Sequence, residues 1–142
     1  MFVLFTVIDN DSQAAMNEQN EHLIHIVVET AYLADQSSPD SGRYSFADTI
    51  TIRNVGGKPA RLLNRHWVIT DANGKVQEVR GEGVVGEQPY LRPGEGFRYT
   101  SGTLLDTPVG SMEGDYGMVD DNGAHFLAAI PAFSLSVPRS LH

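Results

Sequence analysis

The stretch from Leu62 to Gly94, LLNRHWVITDANGKVQEVRGEGVVGEQPYLRPG, holds the chain's only tryptophan and two of its seven prolines. It reads as strand, tight turn, strand and glycine loop. Leu62 to Thr70 is apolar and β-branched, and its alternation places Leu63, Trp67 and Ile69 on one face. Asn73-Gly74 then predicts a two-residue type I′ hairpin turn, because both central residues of that turn need positive φ. The return strand, Lys75 to Arg80, sets Gln77, Glu78 and Arg80 around Val76 and Val79, a composition suited to a solvated sheet edge.

Gly81-Glu82-Gly83-Val84-Val85-Gly86 follows and spells the G-x-G-x-x-G string of dinucleotide-binding proteins. In that motif the glycines bring a pyrophosphate onto the N-terminus of a helix. Here Pro89 and Pro93 would break such a helix, and Glu82 and Glu87 would repel a phosphate. The expectation is a loop shaped by Gly81, Gly83 and Gly86 after an edge strand.

Outward from this stretch the period of two persists. Ile24, Ile26 and Val28 form an apolar face within Leu23 to Tyr32. In Arg43 to Val55 the apolar face carries Tyr44, Phe46, Ile50 and Ile52, interrupted by Asp48. A buried carboxylate needs partners or a raised pKa, so Asp48 is expected at the sheet margin or paired with Arg65 or another cation. Phe97, Tyr99 and Ser101 alternate with Arg98 and Thr100, and Asp106-Thr107-Pro108 marks a turn. Met112, Gly114, Tyr116 and Met118 share a face that ends at Asp120-Asp121-Asn122-Gly123, a second Asn-Gly hairpin signal. In His125 to Val137 the apolar parity changes at Pro131, which predicts a bulge or an edge position. About seven short strands without crossover helices indicate an all-β, antiparallel sandwich of the immunoglobulin or fibronectin type III kind. Trp67 is then a core residue between the sheets.

A chain of 142 residues, 41% hydrophobic, suits one domain with a real core. It has no cysteine, which rules out disulfides, thiolate metal sites and cysteine nucleophiles and fits a reducing compartment. A net charge of −8 argues against nucleic-acid binding. The apolar start MFVLFTVI is too short to span a membrane and lacks the features of a secretory signal, and nothing else approaches a spanning length. Residues 1–22 are read as a flexible leader and 23–142 as the domain.

Chemistry is sparse. His22, His25, His66, His125 and His142 form no metal-binding spacing with carboxylates, and no serine sits in a G-x-S-x-G setting. Glu113, Asp115, Asp120 and Asp121 are the densest carboxylates and read as turn chemistry on a solvated strand end. Neither an enzyme nor a cofactor is expected.

Five segments, RLLNRHWVITDANG (61–74), GEGVVGEQP (81–89), LRPGEGFRYTSG (91–102), TPVGSMEGDYGM (107–118) and FSLSVPRSLH (133–142), resemble the ApaG family in fixed order. The resemblance covers Leu23 to His142 and implies the same β-sandwich in a cytoplasmic bacterial protein, with a genetic link to cobalt resistance and magnesium efflux. It also implies kinship with domains of eukaryotic F-box proteins and a polymerase delta-interacting protein, where protein recognition is the role. Asp48 departs from the aromatic residue expected at its position.

The expected function is therefore a protein linked to Co²⁺/Mg²⁺ homeostasis and efflux that binds a protein partner, a cation transporter or its regulator. The alternative is a general interaction module with indirect ion effects, and a third is nucleotide or pyrophosphate binding by the glycine loop. Arg65 and His66 beside Trp67, with Glu82 and Glu87 on the loop, are the candidate contact surface. The competing reading is structural, with Arg65 neutralising a margin carboxylate and His66 exposed on the sheet.

Overall fold

Alternating strands can bury one face only by stacking two sheets, and the computed structural model, which describes residues 3–7 and 22–139, shows that arrangement. The strands are β1 (Val3–Val7), β2 (Ile24–Tyr32), β3 (Tyr44–Asn54), β4 (Ala60–Asp71), β5 (Val76–Glu82), β6 (Tyr90–Leu91), β7 (Glu95–Leu105), β8 (Val109–Asp120) and β9 (His125–Ser136). One sheet has the order β1-β7-β3-β2 and the other β5-β4-β8-β9, with β6 pairing beside β4. All pairings are antiparallel. The seven longer strands from β2 onward are those expected from the alternation, and β6 is an addition of two residues. Val3–Val7, assigned to the leader by its place before a polar segment, pairs with β7 from Val3↔Tyr99 to Val7↔Glu95. The rest of the expected leader lies largely outside the described residues.

The core is what the inner parities deliver: Phe46, Ile50 and Ile52 from β3 against Leu62, Trp67 and Tyr116 from β4 and β8, all buried. Trp67 meets Tyr116 and Phe133 edge to face at ring-centroid distances of 6.3 and 5.9 Å, an arrangement that suits aromatic quadrupoles.

Two local expectations change. Leu62, not Leu63, is the fully buried leucine, because the β4–β8 register slips between Leu62 and Asn64 and inserts an extra residue into β4. The turn at Asn73-Gly74 is not type I′, since only Gly74 has positive φ. There the Asp71 carboxylate accepts the N–H groups of Asn73 and Lys75 (2.9 Å each) and shapes a three-residue loop. Asp120 repeats the device with Asn122 and Ala124. At Pro131 the expected bulge is present, since the β8–β9 register shifts between Met112 and Gly114, and β9 is also an edge strand.

One long side of the sandwich is sealed where β2 meets β9. His22 stacks on Phe126 (4.1 Å, 5° between planes) and its Nε2 lies 2.7 Å from Asp120 Oδ2. Buried Asn54 nearby donates to the carbonyls of Lys58 and Leu91 and accepts the Gly56 N–H. The opposite side, under β5, holds a cavity.

Candidate functional site

The glycine string closes that cavity. Val84 and Glu87 exchange backbone hydrogen bonds of 2.8 and 2.9 Å around Val85 and Gly86, whose φ values are 45° and 80°. Two central residues at positive φ make this a type I′ hairpin, the geometry expected at Asn73-Gly74. Left-handed backbone is unusual for a β-branched residue and stores roughly 1–3 kcal/mol, so Val85 is held there by its surroundings. Residues 81–86 lead into no helix, and the N–H groups of Gly83, Val84 and Glu87 are already bonded to the carbonyls of Leu63, Glu87 and Val84.

What the glycines cradle is a cation of the chain itself. A Cβ at Gly81 would lie 2.6 Å from Arg65 Cζ, so the bare backbone lets the guanidinium settle against it. Arg65 Nη1 donates to the carbonyls of Glu82 and Gly83 (3.0 Å each). Gly83 is needed for a second reason, since a Cβ there would sit 2.3 Å from the Glu87 carbonyl oxygen.

The cavity, about 370 Å³, is bounded by Asp48 and Tyr99 of one sheet, Arg65 and Trp67 of the other, and the Val84-Val85 hairpin. Asp48 corrects the expectation of a sheet-margin position: it is 1% exposed and registers opposite Ser101 at the middle of β3. Nor is it paired with Arg65, because among the described residues no cation lies within ion-pair distance of it. Asp48 Oδ2 accepts the Thr103 hydroxyl at 2.5 Å, while Oδ1 is buried with no hydrogen-bond partner. Burial pushes this carboxyl up to about 6, against the downward pull of the Thr103 hydrogen bond. Tyr99 and Tyr116 share a 2.5 Å hydroxyl hydrogen bond; burial lifts Tyr99 to about 12 and Tyr116 well above its ordinary value, so both phenols stay protonated.

The sequence candidates lie on two faces that meet at Arg65. Arg65 lies on the inner face of β4, whereas His66 on the outer face has Nε2 3.3 Å from Glu78 Oε2 and Nδ1 3.7 Å from Asp115 Oδ2. Glu82, Gly86 and Glu87 are exposed around the hairpin, and Gly81 and Gly83 line its base. Arg65 thus reaches the inner cavity and also borders, with His66, Gly81 and Glu82, a groove on the outer face. The carboxylates also disperse: Asp120 binds His22, Asp121 accepts the Tyr90 hydroxyl and Asp115 faces His66. No group of three or more metal-ligating side chains occurs among the described residues, and no described helix is long and apolar enough to cross a membrane. The sequence reading missed the cavity, although Asp48 on an apolar face was its visible sign.

This architecture has close counterparts. The sequence pattern of the ApaG domain matches residues 34–120. Protein ApaG of Xanthomonas euvesicatoria pv. vesicatoria is 57% identical over 127 residues, covering 89% of this chain and all of the relative, and Protein ApaG of Xanthomonas oryzae pv. oryzae matches equally. The crystal structure of the putative ApaA protein from Bordetella pertussis superposes with a TM-score of 0.82 at 48% identity, covering 84% of this chain and 98% of that one. With the domain pattern spanning more than half of the chain and full-length relatives this similar, the chain belongs to the ApaG family.

Proposed function

We propose that this chain is a non-catalytic binding module of the cytoplasm that acts on Co²⁺/Mg²⁺ homeostasis by docking on a partner protein, a cation transporter or its regulator. The observation that supports this reading is the open edge of β5. That strand ends the β5-β4-β8-β9 sheet, and every residue of it except Gly81 is exposed, with Val76 at 56% and Val79 at 40%. A strand edge presents a row of N–H and C=O groups to which another chain can add, while alternate side chains supply selectivity. Glu78 and Arg80 on the same strand would set the charge preference. The reading assigns ion contact to the partner.

Affinity capture with the full chain tests it, using as the control a Val76→Asp variant, a position outside the cavity lining. The expected result is a cation transporter or its regulator retained by the unaltered chain and lost from the variant. Equal retention by both, saturable Mg²⁺ or Co²⁺ binding to the isolated chain in calorimetry, or nucleotide turnover by it would overturn the reading.

A further inference from the structure

We propose that the cavity between the sheets is a binding site for a small zwitterion of the amino-acid class, its ammonium group donating to Asp48, its carboxylate accepting from Arg65, and its apolar side chain lying against Trp67 and Met112. This site lies on the inner side of β5, whose Val79 and Glu82 line it, and does not depend on the docking reading.

Size, polarity and an unmet hydrogen bond point the same way. A volume of about 370 Å³ lies within the ~300–1,000 Å³ span of small-molecule sites. Asp48 lines that space with one oxygen held by Thr103 and the other buried without a donor. Buried polar atoms are seldom left unpartnered, and each one calls for an explanation. A ligand N–H supplies the missing donor.

Arg65 fixes the other end. Its guanidinium is anchored through Nη1 alone, so Nε and Nη2 donate to nothing among the described residues. The two opposite charges line one cavity without forming an ion pair with each other. A purely cationic ligand would be repelled by Arg65 and a purely anionic one by Asp48, whereas a zwitterion satisfies both. Between them Trp67, Met112 and Val85 offer apolar surface, with the strained Val85 forming part of the lid.

Trp67 lines the cavity and is the only tryptophan, so its fluorescence reports occupancy directly. The test titrates the full chain at neutral pH with leucine, methionine and phenylalanine, with calorimetry in parallel. Leucinamide, which lacks the carboxylate, and 4-methylpentanoate, which lacks the amine, serve as comparators. Saturable binding of at least one amino acid is expected, with each comparator at least about tenfold weaker, as loss of a charged hydrogen bond implies. Asp48→Asn should weaken binding by a similar factor. Val79→Phe, at a partly exposed position on the cavity wall, should abolish it without entering the core. The proposal is overturned by no saturable change up to about 10 mM, weaker than a specific site of this kind would show. A comparator that binds as tightly as the amino acid, or undiminished binding to either variant, overturns it as well.

Discussion

The two long sides of the sandwich solve the same problem differently. Where β2 meets β9, polar groups inside the fold are matched: Asn54 uses both amide N–H groups and its oxygen, and Asp120 is met by His22 and by two backbone N–H groups. The His22 hydrogen bond, the largest influence, holds the Asp120 carboxyl below its ordinary value. Under β5, by contrast, Asp48 keeps a buried oxygen without a donor beside a cavity, and Val85 keeps a strained backbone above it. A fold able to complete one side has the means to complete the other. The difference teaches that the β5 side leaves unmet, beside an opening, the kind of polar group that the other side satisfies.

The comparison breaks most readily on the matched side. Asn54→Ala removes three hydrogen bonds at once and leaves two carbonyls and an N–H without the partner they had; a loss of about 3 kcal/mol in urea unfolding is expected. A loss under about 1 kcal/mol would mean that the matching carries little energy.

On the open side the next largest effect runs the other way. The folded chain holds the Asp48 proton more tightly than the unfolded chain does, with a pKa of about 6 against 3.8, so the cost of burying the carboxylate is absent below about pH 4 and fully present above about pH 6. Asp48→Asn, which cannot ionise, should therefore gain on the unaltered chain by roughly 2–3 kcal/mol between pH 4 and pH 7. A pH-independent difference between the two would show that the carboxyl is not desolvated.

The smallest change sharpens the account of the hairpin. Val85→Asn converts Val85-Gly86 into the Asn-Gly pair that type I′ turns favour, and should raise stability by about 1 kcal/mol in thermal unfolding. It should also weaken occupancy of the cavity, because Val85 is part of its apolar wall. A destabilised variant would show that packing of the valine outweighs the strain.

How much of this was legible in the sequence follows from the range of the signals. Period two is local, so the strands carrying Phe46, Trp67 and Tyr116 could be read from neighbouring residues alone. The Leu62–Leu63 choice could not, because the bulge is fixed by pairing with β8, far along the chain. Turn positions were readable but turn types were not: the Asp71 carboxylate redirects Asn73-Gly74, and no residue preference announces a left-handed Val85. The G-x-G-x-x-G string leads into no helix, as expected, but Gly81 and Glu82 still pair with β4 and the turn begins only beyond them, while its service to Arg65 depends on cross-strand contact. Asp48 stood out on an apolar face, and the usual cost of burying a charge argued for the sheet margin. The chain bears that cost as a raised Asp48 pKa, opposed only by the Thr103 hydrogen bond, beside a cavity that has no sequence pattern.

The claim on which the account turns is that Asp48 sits desolvated and half-satisfied beside the cavity. A carbon-detected NMR titration of the Asp48 side-chain carboxyl in the full chain tests it directly. A midpoint about 6 is predicted, and a midpoint at or below the ordinary 3.8 would contradict the account.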